Sequence, residues 1–208
     1  MATAEVDTGI YLCLEMAGTL MTPEEFDAVE DYDDEYRYEL VNGVLVVTPL
    51  PLAAESGPNE ELGYLLRRYQ EDHPQGKIIN ASLAEQYIYL PQSRRRADRV
   101  IWTGLGRFPN RKRDQPSIVI EFPSRRRRDR QRDYNEKQRE YMKLGIAEYW
   151  IIDRFKCTLT VWRNSPGGTP QKLVIQESET YQPPLLPGFE LPLARLLAIA
   201  DRWAKSEE

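Results

Sequence analysis

Ser117-Ile118-Val119-Ile120-Glu121-Phe122 is a nearly continuous apolar run of strand length with a carboxylate near its end. Continuous apolarity, in place of alternation, predicts a central strand covered on both faces. A charge at the end of such a strand needs a compensating partner. Downstream, Tyr134, Lys137, Tyr141 and Leu144 recur at spacings of three and four, which predicts a helix over 130–144 with these side chains close to one stripe. Gly145 is its stop, because glycine tolerates the positive φ found just past helix ends. Tyr149-Trp150-Ile151-Ile152 then reads as another buried strand. Strand, helix and strand in this order predict a right-handed parallel crossover and an α/β class.

The flanking segments extend this pattern. Thr22-Pro23-Glu24-Glu25 reads as an N-cap, a first-turn proline and two first-turn acids, opening a short helix to about Val29. The acidic stretch Glu30 to Glu35 reads as a loop. Tyr36 to Leu40 and Val44 to Thr48 flank Val41-Asn42-Gly43, a strong hairpin signal. Residues 50–58, with Pro51, Gly57 and Pro58, read as a loop, and Glu60 to Asp72 as a helix carrying Leu62, Leu65, Leu66 and Tyr69. Ala84 to Leu90 and Asp98 to Thr103 read as strands, with Arg94, Arg95 and Arg96 in the connection between them. Thr158 to Trp162 and Leu173 to Ile175 are expected strands around a Pro166-Gly167-Gly168 turn, and Ala194 to Ala204 a closing helix. The expected organisation is a tail over 1–20, a single domain over 21–204 and a tail over 205–208.

A chain of 208 residues can bury one substantial core. No run approaches the roughly 18 apolar residues of a membrane helix, and no basic region followed by an apolar stretch opens the chain. A cytoplasmic, membrane-independent protein is expected. Cys13 and Cys157 stand far apart without zinc-type spacing, so reduced thiols are expected. His73 reads as a surface residue at a helix end. The net charge of −5 hides an asymmetry: residues 1–60 hold fourteen carboxylates against Arg37 alone, and residues 94–143 hold seventeen Lys/Arg against seven Asp/Glu. A gathered basic face can bind nucleic acid despite an acidic total, because salt confines electrostatics to about 8–10 Å. Equally, the arginine runs are solvated loops that offset the acidic N-terminal lobe.

Three residues have charges that the expected elements place awkwardly. The crossover can return Lys137 toward Glu121, at the carboxyl end of a strand where ligand sites of parallel sheets gather. The alternative is a lysine snorkelling past two tyrosines. Asp98 begins or interrupts its strand, and approaches Glu121 if strand 98–103 lies beside strand 117–122. The alternative is an acid paired with a neighbouring arginine. Two hard oxygen ligands with several waters suit Mg²⁺. Glu39, in the hairpin strand, is a further carboxylate that either completes the cluster or is structural.

The ordered set Tyr38-Glu39-Leu40-Val41-Asn42-Gly43-Val44, Ala97-Asp98-Arg99-Val100, Ile118-Val119-Ile120-Glu121-Phe122-Pro123-Ser124, Asp133-x-x-x-Lys137-x-x-x-Tyr141 and Gly145-x-x-Glu148-Tyr149-Trp150-Ile151-Ile152-Asp153 resembles a bacterial endonuclease family. That family was long called a domain of unknown function and falls within the PD-(D/E)xK restriction-endonuclease-like superfamily. The resemblance covers roughly residues 21–200. It implies a restriction-endonuclease-like core, a central mixed β-sheet flanked by helices with an N-terminal β-hairpin. It also implies Asp98 and Glu121 as metal ligands and Lys137 as the catalytic lysine displaced from strand to helix. Ala97 replaces the usual proline, Pro123 stands where the superfamily's strand lysine would be, and the segment between Glu121 and Asp133 is lengthened with arginines.

The activity so implied is Mg²⁺-dependent hydrolysis of DNA phosphodiesters, with Mn²⁺ as a substitute metal. Asp98, Glu121, Lys137 and Glu39 are its catalytic candidates. Arg94, Arg95, Arg96, Arg125, Arg126, Arg127 and Arg128 are candidates for holding the DNA backbone. A homodimer follows by analogy, since cutting two strands needs two sites. Two other classes stay open: a nucleic-acid-binding module of the same fold without turnover, and a regulatory domain whose basic face meets an acidic partner.

Overall fold

The computed structural model describes residues 9–165 and 167–206. Of the expected tails, residues 1–8 and 207–208 lie outside the described residues, as does Pro166 of the expected turn. In chain order the elements begin with β1 (Tyr11–Leu12), α1 (Pro23–Asp27), β2 (Asp31–Tyr32), β3 (Tyr36–Val41), β4 (Val44–Pro49), α2 (Ala53–Asp72), β5 (Ile79–Leu90) and β6 (Ser93–Thr103). They continue with β7 (Ile118–Glu121), α3 (Arg127–Gln131), a π-helical turn (Arg132–Lys137), α4 (Gln138–Leu144), β8 (Glu148–Asp153), β9 (Thr158–Arg163), β10 (Gln171–Gln176), β11 (Thr180–Tyr181), β12 (Leu191–Pro192) and α5 (Leu193–Ser206). These residues form two compact units, 9–50 with 87–96, and 51–86 with 97–206.

In the first unit, Thr22 and Glu25 form a reciprocal capping box at the start of α1, with Pro23 in the first turn. β3 and β4 pair antiparallel from Val41↔Val44 to Tyr36↔Pro49. The two-residue turn between them holds Asn42 at φ 50° and Gly43 at φ 77°, the left-handed pair a primed turn requires. Residues read from the sequence as part of a tail supply Ile10, Leu12 and Met16 to a cluster with Phe26, Tyr38, Leu40 and Leu45. The acidic stretch expected as a loop contains β2, which pairs with β1.

In the second unit the strand order is β10-β9-β8-β7-β6, with β5 also paired to β6. β7 and β8 are parallel, joined by the expected crossover, while β6–β7 and β8–β9 are antiparallel. The sheet is therefore mixed. Ile101, Ile118, Ile120, Trp150 and Ile152 share a core cluster with Leu62, Leu65 and Leu66 of α2 and Leu196 and Leu197 of α5. Side chains alternate along a strand. Asp98 and Val100 of β6, Val119 and Glu121 of β7, and Tyr149 and Ile151 of β8 consequently face the other way, toward the helical segment 127–144. There Tyr149 meets Tyr141 edge-on, with ring centroids 5.1 Å apart.

Three expectations are corrected. The loop placed over 50–58 is helical from Ala53: Ala54, Pro58 and Asn59 are buried, so tertiary packing holds a turn that proline alone would disfavour. The arginines at 94–96 do not lie in a connection but within β6, with Arg94 and Arg95 buried. The helix over 130–144 is not uniform, because residues 132–137 take the wider π form. Among the described residues no helix is long and apolar enough to cross a membrane.

Candidate active site

Glu121 is the last residue of β7 and is 3% exposed. Lys137 closes the π-helical turn, is 2% exposed, and donates from Nζ to Glu121 Oε1 at 2.9 Å. Its ammonium also lies 3.7 Å from Asp133 Oδ1, one helical turn earlier. Arg132 Nε stands 3.5 Å from the same Asp133 oxygen. π-Helical turns are uncommon and concentrate at functional sites, because the extra residue in the turn re-aims side chains. Here the turn carries both Asp133 and Lys137. The Tyr149 hydroxyl donates to the Asp133 carbonyl at 2.9 Å and ties the turn to β8.

Asp98 reaches the same place from β6. The antiparallel register runs Ile101↔Ile118 to Arg99↔Ile120, so Asp98, one position further, lies opposite Glu121. Directly opposed residues of an antiparallel pair bring their side chains close on one face. Asp98 Oδ2 accepts the Phe122 backbone N–H at 2.7 Å, which fixes the carboxylate. On the α2 side, Asn59 Nδ2 donates to the Asp98 carbonyl at 2.8 Å, and Asn59 Oδ1 accepts Arg99 Nε at 2.7 Å. The helix is thereby pinned to both residues at this point of the strand.

The electrostatics follow from crowding buried acids. Burial pushes the Glu121 carboxyl well above its ordinary value; Lys137 opposes this, and the charges of Asp98 and Asp133 reinforce it. Burial also raises the Tyr149 phenol, again helped by Glu121 and Asp133. Two carboxylates, Glu121 and Asp133, thus flank one buried ammonium, with Asp98 opposite Glu121 and Arg132 in contact with Asp133. Two opposed carboxylates with excess negative charge fit a hard divalent cation that keeps several waters. Asp98 and Glu121 are the side chains that could hold such an ion. Among the described residues no preassembled group of three or more His, Cys, Asp or Glu ligands occurs.

Of the sequence candidates, Asp98, Glu121 and Lys137 come together. Glu39 belongs to the first unit and is 5% exposed. Its Oε1 accepts the Arg96 N–H at 2.7 Å, and its Oε2 lies 3.7 Å from Arg95 Nη1. Arg94 grips Asp27 through Nε and Nη2, at 2.8 and 2.7 Å, and donates Nη1 to the carbonyls of Leu90 and Ser93. The burial of Arg94 and Arg95 removes them from the surface that phosphate contact requires. Arg125, Arg126, Arg127 and Arg128 are exposed, around the start of α3. Sequence reasoning noted Asp133 within the Lys137 motif without assigning it to the site, though its spacing of four from Lys137 was the available signal. Asn59 gave no signal, since nothing local distinguishes it from a surface asparagine.

The chain matches the family model Uma2, described as “Putative restriction endonuclease”, over residues 23–194. No curated protein matches it. Its fold is similar to that of a solved structure from Anabaena variabilis ATCC 29413, described as “a putative nuclease belonging to DUF820”. The TM-score is 0.67 at 17% identity, over 86% of this chain and 99% of that one, a likeness of fold. With a family model covering most of its length and the mixed sheet of a nuclease-like structure, this chain belongs to the Uma2 family of restriction-endonuclease-like proteins.

Proposed function

We propose that the protein is a Mg²⁺-dependent endonuclease that hydrolyses DNA phosphodiester bonds, with Asp98 and Glu121 as metal ligands and Lys137 as the catalytic cation. The observation that carries this reading is the buried Lys137–Glu121 pair, 2.9 Å long, opposite Asp98. A purely structural role is a poor account of it. Replacing a buried ion pair by apolar residues is often neutral or stabilising, and here carboxylates outnumber ammoniums.

When bound, a divalent ion supplies positive charge that polarises a phosphoryl oxygen and lowers the pKa of a coordinated water. Asp98, oriented by the Phe122 N–H, and Glu121 provide its anionic oxygens. Lys137 is positioned by Asp133 to donate a hydrogen bond to the attacking water or to a phosphoryl oxygen that gains charge. Arg125 to Arg128 hold backbone phosphates without reading bases. Glu39, the further catalytic candidate, is held within the first unit by the Arg96 N–H and faces Arg95. The protein acts in the cytoplasm, where Cys13 and Cys157 stay reduced, and as a homodimer that offers one site to each strand.

Plasmid DNA incubated with Mg²⁺ or Mn²⁺ is expected to be nicked or cut. Asp98→Ala, Glu121→Ala and Lys137→Ala should each lower cleavage by at least about a hundredfold. Glu39→Gln should lower it less. Cleavage persisting unchanged in all of the first three variants would assign the activity to a contaminant and end this reading.

A further inference from the structure

The sheet edge at which β7 and β8 end carries a second group of side chains. Glu121 is registered with Ile151 in the parallel pair, so Asp153 stands two residues further along and the turn 154–157 follows at the same edge. Asp153 is fully buried. Its carboxylate accepts the backbone N–H groups of Phe155 and Lys156 at 2.9 and 3.2 Å, the Tyr134 hydroxyl at 2.7 Å, and both terminal nitrogens of Arg130. One acid therefore fixes the turn and the helical segment 127–137 against each other and neutralises Arg130.

What Asp153 leaves over is cationic. The Arg154 guanidinium carbon lies 4.4 Å from the Phe155 ring centroid, and the Lys156 ammonium 4.0 Å from the Tyr134 centroid. Aromatic faces attract cations and hold them in place. Phe155 is 39% exposed and Lys156 is exposed, so this side of the turn is open to solvent, while Arg154 is half-buried with its Nε enclosed. Among the described residues neither Arg154 nor Lys156 takes part in an ion pair, and exposed Arg127 and Arg128 open the adjoining α3. Two positioned cations beside a run of arginines, at the strand ends that carry Glu121, complement a polyanion that must pass that residue.

We propose that Arg154 and Lys156, seated on Phe155 and Tyr134 and organised by Asp153, form a ledge that binds backbone phosphates of the DNA strand flanking the scissile bond. This rests on the nuclease reading. The contacts are with phosphates, so the ledge fixes the strand's position and not its sequence.

The test measures binding of a fluorescein-labelled duplex in EDTA across a salt series, for wild type, Arg154→Ala/Lys156→Ala and a control, Arg67→Ala/Arg68→Ala. The control removes equal charge from the exposed face of α2, where these arginines pair with Glu71 and Asp72. Each phosphate contact contributes about 0.9 to the log–log salt slope, so the ledge variant should lose about 1.8 and the control little. In Mg²⁺, KM for DNA should rise in the ledge variant while kcat stays within about twofold. A slope unchanged by the ledge variant, or lowered equally by the control, overturns the ledge; continued cleavage would then leave the nuclease reading standing. Salt-dependent binding lost with the ledge but no cleavage by wild type would support the ledge and sink the nuclease. Wild type that does not bind DNA at all overturns both.

Discussion

The Lys137 ammonium and the Glu121 carboxylate form a buried ion pair 2.9 Å long between residues sixteen positions apart along the chain. Asp133 lies 3.7 Å from the same ammonium, and Asp98 stands opposite Glu121 in the neighbouring strand. Charge is thus unevenly matched among buried side chains. That imbalance sets the expected behaviour of the metal-free protein.

Replacing Lys137 by methionine keeps most of the length of the side chain and removes the buried ammonium beside Glu121 and Asp133. Breaking one partner from a buried pair typically costs about 3–5 kcal/mol. The stranded carboxylates can escape part of this by taking up protons, so the loss should be larger at about pH 8 than at about pH 5. Urea denaturation of both proteins at the two pH values measures it. A pH-independent loss would mean that Lys137 matters for packing alone.

Glu121→Gln should act in the opposite direction on stability. A carboxyl whose folded pKa lies above its unfolded value binds extra protons in the native state between the two values. Stability is therefore fully present below the ordinary value of 4.5 and declines as pH rises through the folded pKa. Without metal, the variant should melt higher than wild type near neutral pH, and the gap should narrow toward about pH 4. Thermal melts in EDTA across this range would show it. A variant less stable than wild type at every pH would contradict the raised Glu121 pKa.

Asn59→Ala removes a side chain that serves two buried groups at once, the Asp98 carbonyl and the Arg99 guanidinium. Arg99 also donates to the Asn59 carbonyl and to Ser82, so it is not stripped of partners. Leaving buried groups unsatisfied costs about 1–3 kcal/mol each, so a loss of about 2–4 kcal/mol is expected in urea denaturation. A loss below about 0.5 kcal/mol would place the asparagine among neutral surface positions.

Burial pushes the Asp153 carboxyl up, but hydrogen bonds from Arg130 and Tyr134 outweigh it and hold the group below its ordinary value. A lowered carboxyl contributes stability above its unfolded pKa and loses it as pH falls through the folded one. Asp153→Asn should therefore be less stable than wild type at about pH 6, and the difference should close below about pH 3. Urea midpoints at both pH values test this. A difference that persists in acid would point to the geometry of the turn and not to charge.

The hairpin at Asn42-Gly43, the capped start of α1 and the strand β7 were legible because each is written in local chemistry: a positive-φ pair, a capping box, an unbroken apolar run. The turn at Gly145, with φ 93°, was legible for the same reason. The segment 53–58 was misread because proline and glycine signal a break locally, while burial of Ala54 and Pro58 keeps it helical. Arg94 and Arg95 were misplaced because an arginine run resembles a solvated loop, and their burial depends on partners such as Asp27, distant in sequence.

By itself the sequence determined the α/β alternation, the crossover between β7 and β8 and the identity of three residues whose charges sit badly in their predicted elements, because periodicity and local charge are properties of neighbours along the chain. Only the tertiary structure decided that Asp98 falls opposite Glu121, that a π-helical turn carries both Asp133 and the Lys137 that reaches Glu121, and that two of the arginines are buried. Strand register and burial are set by contacts between segments far apart in the chain, and no local pattern encodes them.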